Sequence, residues 1–186
     1  MEIKRSDEEQ SSEQGVQQYL TFMIGGEEYA VSLLKVREIV EYRPVTRIPR
    51  MPAWVRGVMN LRGNVVPVID LAIKFGQAPN EVGKLTCIVI VEIELDGEGT
   101  VMGVITDTVS QVIELKREDI ETPPAFGTRV RVDYLLGMAR SGSKFCLLLD
   151  TDAVLSVDEL AELSTSLPTA AGGSETPSSV AGGEIR

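Results

Sequence analysis

The chain has 186 residues, with 18 lysines and arginines against 28 aspartates and glutamates, no histidine and 2 cysteines. Those counts exclude histidine-based acid–base chemistry, a catalytic triad and a histidine-ligated metal, and two thiols are too few for a four-thiolate zinc or iron–sulfur centre. A net charge of −10 argues against nucleic acid as a partner, because phosphate binding needs a basic face.

Residues 1–15 hold five acidic and two basic side chains and almost nothing apolar, so they are expected to be a disordered acidic head. They also lack the apolar stretch of a signal peptide, and no apolar run approaches the roughly 20 residues of a membrane span. A cytoplasmic location without membrane insertion is therefore expected. The globular part is expected over 16–163. With 43% hydrophobic but only 5% aromatic residues, its core must be mostly aliphatic.

From Tyr19 onward the hydrophobic period is two, the signature of strands. Leu20, Phe22 and Ile24 alternate with Tyr19, Thr21 and Met23, and Gly25-Gly26 gives a hairpin turn before Tyr29, Val31 and Leu33. Val36, Glu38 and Val40 are placed on one face of the next strand, with Arg37, Ile39 and Glu41 on the other. Gly57 to Leu61 and Val65 to Ile69 flank a tight turn at Arg62-Gly63-Asn64. Pro67 cannot donate to a ladder, which predicts an edge strand or a bulge there. Asp70 is set to cap a short helix over 71–75, closed by Gly76.

The strand pattern restarts near Leu85. Cys87 to Val91 reads as a buried strand, and Val101 to Thr106, Val109 to Leu115, Leu135 to Ala139 and Phe145 to Leu149 as further strands. Ser156 and Glu159 form a capping box, which predicts a C-terminal helix over about 156–163. Residues 164–186 are mostly Gly, Ser, Thr, Ala and Pro and are expected to be a flexible tail. Cys87 and Cys146 lie inside apolar runs and are expected to be small buried hydrophobes.

The two halves match each other. Tyr29 to Val31 and Val36 to Ile39 align with Met102 to Val104 and Val109 to Val112 at an offset of 73. Gly57, strand 65–69 and Asp70 align with Gly137, 145–149 and Asp150 at an offset of 80. A duplicated unit of about 70 residues and five strands is too small for a sandwich and suits a closed barrel. The expected fold is all-β: two small barrels side by side, about 16–80 and about 84–150. No glycine loop is followed by a phosphate-binding Lys-Ser/Thr pair, no calcium-loop spacing occurs, and the carboxylate clusters lie on solvent faces. No metal or cofactor is expected. An enzyme using a small-molecule site between the barrels is the disfavoured alternative to a binding module. Arg62 at a turn apex reads as a solvated turn residue, and Trp54 as a plug under a loop.

The block V-R-E-I at 36–39, Ile48-Pro49, Pro52 and G-V-M-N-L-R-G-N-V-V-P-V-I-D-L at 57–71 resembles the CheW family of bacterial chemotaxis coupling proteins. The resemblance implies two five-stranded SH3-like barrels and a non-enzymatic adaptor. It implies as partners the regulatory domain of a CheA-type histidine kinase and the cytoplasmic tip of a chemoreceptor, a helical hairpin received in an apolar groove between the barrels. That would place the chain in the cytoplasm at membrane-associated receptor arrays. A related chemosensory pathway controlling surface motility, pili or development is the alternative. Carried over by motif, the implied contact residues are Val36, Glu38, Gly57 and Arg62. Val45 is a weaker one, and Val104 and Val112 are groove candidates from the second barrel. Glu38 would pair with a basic group, Gly57 would permit close backbone approach, and Arg62 would present a charged fork.

Overall fold

A computed structural model describes residues 15–95, 97–124 and 130–155. The alternating residues form β1 (Val16–Ile24) and β2 (Glu27–Ser32). Gly25 and Gly26 join them with φ of 57° and 84°, the doubly left-handed turn whose twist suits a hairpin. A 3-10 turn, Leu33–Lys35, then carries the chain into β3 (Val36–Glu41), β4 (Val55–Leu61), β5 (Asn64–Ile69) and helix α1 (Leu71–Lys74). After β6 (Cys87–Leu95), β7 (Glu98–Thr106) and β8 (Thr108–Lys116) come β9 (Leu135–Ser141), β10 (Lys144–Leu149) and helix α2 (Thr151–Val154).

The Asp70 carboxylate accepts hydrogen bonds from the N–H groups of Ala72 and Ile73, and Asp150 does the same for Asp152 and Ala153. The first helix start is thus capped as the sequence predicts, and Asp150, the aligned residue, caps the second in the same way. The expected helix over 156–163, residues 1–14 of the head and the whole tail lie outside the described residues.

Two five-stranded sheets result, in the orders β8-β1-β2-β10-β9 and β3-β6-β7-β5-β4. Moving every strand five places along the chain converts one order into the other, so the duplication is written into the topology. The irregularities repeat too. Register shifts fall between Val36 and Glu38 on β3 and at the equivalent Val109 and Gln111 on β8, and again between Val55 and Gly57 on β4 and at the equivalent Leu135 and Gly137 on β9.

The division into 16–80 and 84–150 does not describe these sheets. One barrel is continuous, from residues 36–106. The other is split, joining 16–32 to 108–149. The chain crosses between sheets at Leu33–Lys35 and again at Asp107, where hairpins would have kept each half together. Hydrophobic periodicity reports which face of a strand is buried, not which sheet the strand joins. Pro67 is a second difference. β5 is an internal strand, and Pro67 is tolerated because the parallel pairing to β7 begins only at Val68.

Each sheet rolls up, and a single bridge joins its outer strands. Thr46, beyond β3, exchanges two backbone hydrogen bonds of 2.9 Å with Val58 on β4. Glu121, beyond β8, exchanges two of 2.8 Å with Met138 on β9. These bridges are the barrel seams. Each barrel holds a small interior: Met59, Val66, Val68, Ile88, Ile90 and Ile105 in the continuous one, and Tyr19, Ala30, Leu115, Ala139, Cys146 and Leu148 in the split one. The largest cluster lies between the barrels, where Phe22, Tyr29 and Val31 meet Ile69, Val89, Val91 and Val104. Adjacent residues such as Val68 and Ile69 therefore serve different cores, as a period of two demands.

Cys146 is fully buried, and burial is the main cause that pushes its thiol up to about 12, with the Glu28 charge adding to it. It is inert packing, as expected. Cys87 is half-buried beside the Thr106 hydroxyl, and both cysteines are free.

Helix α2 is pinned by Asp152, which pairs with Lys35 at 2.8 Å and accepts the Glu94 N–H at 2.9 Å. Partial burial opposes the charge, but the Lys35 hydrogen bond and the Glu94 N–H outweigh it, so the carboxyl lies below its usual range. A lowered pKa stabilises the fold above the unfolded value and is lost as pH falls through the folded one. Asp152→Asn is therefore expected to cost up to about 1 kcal/mol near pH 7, since the pair is partly exposed. Denaturant titrations should show the difference from the parent shrinking as pH falls below about 4.

Candidate partner-binding surface

The V-R-E-I strand and the N-L-R-G turn come together in the continuous barrel. Arg62 lies at the apex of the β4–β5 turn with φ of 52°, followed by Gly63 at 89°. The Asn60 side chain accepts the Gly63 N–H at 2.9 Å and holds the turn. From this apex the Arg62 guanidinium reaches back to Glu38 on β3, with Nη2 to Oε2 at 2.9 Å. The guanidinium is 78% exposed and the carboxylate 25%. Both line a shallow depression with Leu61, Val66, Ile90 and Val101. The residue expected to pair with a partner's basic group thus already pairs with Arg62. Together they form one polar device above an apolar floor.

The β3 bulge rearranges the predicted faces. Val36 pairs with Val91, which belongs to the core between the barrels, whereas Glu38 and Val40 pair with Ile90 and Ile88 of the barrel interior. Arg37 is the extra residue, and its guanidinium meets Glu92. Val36 is therefore half-buried against the shared core and does not share a face with Glu38 and Val40. A period of two cannot reveal a bulge, because one inserted residue inverts every face that precedes it.

Four other residues of the motif-based set, Gly57, Val45, Val104 and Val112, also lie apart from the polar device. Gly57 is buried at the seam with φ of 147°, and a Cβ there would meet the Thr46 carbonyl. The close backbone approach it permits is internal. Val45 is half-buried against the interior of the continuous barrel. Val104 is 4% exposed inside the shared core, so it offers no groove surface; its strand β7 is central, not marginal. Val112 is exposed, on the outer strand β8, at the position equivalent to Ile39 on the outer strand β3. Trp54 packs partly against the shared core with the Lys74 ammonium 4.1 Å from its ring centre, as a plug would.

Sequence reasoning missed Leu34. It sits on the 3-10 turn that crosses between the barrels and is 90% exposed, the most exposed of the large apolar side chains described. The available signal was the pair Leu33-Leu34: once Leu33 faces the core, its neighbour must face out. Leu34→Ser should leave the melting temperature of the isolated protein unchanged, within about 0.5 kcal/mol of stability, because little apolar area is lost from the core. Partner affinity measured by calorimetry should fall several-fold, as for an apolar anchor.

Among the described residues there is no cluster of metal-ligating side chains, and no helix is long and apolar enough to cross a membrane. A duplicated pair of SH3-like barrels with a polar device at one turn and an exposed leucine at the crossover defines a protein-binding module. The CheW-like domain family model matches residues 18–159. The chemotaxis protein CheW of Klebsiella aerogenes is 38% identical over 145 residues, covering 78% of this chain and 85% of that protein. The CheW of Treponema pallidum is 34% identical over 150 residues, covering 78% and 86%. The crystal structure of the scaffolding protein TtCheW from Thermoanaerobacter tengcongensis matches with a TM-score of 0.69 and 31% identity, over 77% of this chain and 90% of that one. This chain belongs to the CheW family.

Proposed function

We propose that this chain is a chemotaxis adaptor that couples a CheA-type histidine kinase to the cytoplasmic tips of chemoreceptors and catalyses no reaction itself. Family membership over 18–159 carries this reading. The surface supports it. Glu38 and Arg62 present a rigid polar device on the continuous barrel, while Leu34, Ile39 and Val112 offer apolar contact. Two barrels of like construction but different surfaces suit a protein that must hold two partners at once. The equivalent of Glu38 in the split barrel is Gln111, and that of Arg62 is Gly142, so the device has no counterpart there.

In this reading the protein acts in the cytoplasm at receptor arrays and needs no cofactor. Its mechanism is geometric. It holds the kinase regulatory domain and the receptor hairpin in a fixed relation, so that a change in one is felt by the other. The test is capture of a CheA-type regulatory domain, and separately of a receptor-tip hairpin, by the immobilised full chain. Binding of both is expected. Failure to bind any CheA-type regulatory domain would contradict the proposal.

A further inference from the structure

The connection between β3 and β4 is unlike the rest of the chain. Residues 42–56 contain Arg43, Arg47, Arg50 and Arg56 and no acidic residue, in a protein whose net charge is −10. Arg37, Arg56, Arg62 and Arg131 each meet a carboxylate, whereas Arg43, Arg47 and Arg50, like the isolated Arg117 and Arg140, make no ion pair among the described residues; the three are exposed and fall within eight consecutive positions. Three exposed cations without an ion pair among the described residues are thus gathered on one acid-free segment of an otherwise acidic chain.

Their backbone is fixed. Pro44, Pro49 and Pro52 restrict φ along the segment, Val45 packs against the barrel interior, and Thr46 is held by its two hydrogen bonds to Val58. Arg50 has φ of 65°. It and Arg62 are the only non-glycine residues with positive φ among those described, and both are exposed arginines. A left-handed arginine costs on the order of 1 kcal/mol relative to glycine, a strain that tends to persist where a side chain must be presented.

We propose that Arg43, Arg47 and Arg50 form a preorganised docking surface for a carboxylate-rich segment of a partner protein. The guanidinium fork matches a carboxylate, and a rigid backbone lowers the entropy lost on binding. The strip is short and the remainder of the chain is strongly acidic. Residues 42–56 carry +4 and the rest of the chain therefore −14, so a long polyanion such as nucleic acid, or an anionic membrane, meets net repulsion beyond the strip, whereas a short acidic segment fits within it. The surface involves neither Glu38 nor Arg62 and does not depend on the adaptor reading.

The test uses the full chain and a synthetic glutamate-rich dodecapeptide, followed by amide shifts at low salt. Shifts confined to residues 42–56 are expected, with affinity falling at least tenfold in Arg43→Gln/Arg47→Gln/Arg50→Gln while the melting temperature is kept. Unchanged binding by that variant, shifts mapping elsewhere, or equal binding of a single-stranded dodecanucleotide or of anionic vesicles would overturn the proposal. So would peptide binding that appears only after residues 1–14 are removed, since the acidic head would then be the occupant. Rescue by Lys at the three positions to less than the parent affinity would support fork recognition.

Discussion

Gly57→Ala is expected to destabilise the isolated protein by about 2–4 kcal/mol, a melting-temperature loss on the order of 10 °C. Gly57 has φ of 147°, and an added Cβ would collide with the Thr46 carbonyl, which is backbone and has no flexible end to move aside. The Thr46–Val58 bridge that closes the continuous barrel would have to open. Gly63→Ala is the control. Gly63 is also left-handed, with φ of 89°, but its missing Cβ faces open space, so only the conformational cost of about 1 kcal/mol applies. Gly137→Ala tests the other seam, where a Cβ would press against Ile120 and lie 2.9 Å from the Glu121 carbonyl oxygen. Chemical denaturation of the three variants gives the comparison. Equal losses for Gly57→Ala and Gly63→Ala would show that the seam is not under the constraint described.

The second large effect concerns binding, not folding. Arg62→Ala and Glu38→Ala should each leave stability within about 1 kcal/mol, because an exposed ion pair contributes little. Each should weaken partner binding by at least tenfold, about 1.4 kcal/mol, if the pair is a contact device. The charge-swapped double variant Glu38→Arg/Arg62→Glu separates two roles. It can restore an internal pair but offers the partner reversed charges. Binding should remain impaired in the swap while the melting temperature stays normal. Recovery of binding in the swap would mean that the pair merely stiffens the turn and that the partner touches neither charge.

Much of this architecture was legible in residues 16–155. The alternation through Leu20, Phe22 and Ile24, the Gly25-Gly26 turn and the Asp70 and Asp150 caps are local features, and local chemistry determines them. The offsets of 73 and 80 located the duplication because equivalent bulges and seams need similar residues. What could not be read is which strand joins which sheet. Crossing at Leu33–Lys35 and at Asp107 splits one barrel between the chain ends, and both arrangements bury the same faces. The bulge at Val36–Glu38 was hidden for a related reason, and it moved Val36 onto the shared core. Val104 was misjudged because an aliphatic residue on a central strand has the same sequence pattern as one lining an open groove. Glu38 and Arg62 were named separately. Only the roll of the sheet, which brings the β4–β5 turn back over β3, shows them to be partners.

The central claim, that one small duplicated fold holds two proteins on separate surfaces, is tested most directly by amide shift mapping of the full chain. A receptor-tip hairpin is added first and a CheA-type regulatory domain second. The account predicts two largely separate sets of shifted amides, one of them including residues 36–39 and 60–64, with the first set retained when the second partner is added. One common set, or release of the first partner by the second, would contradict it.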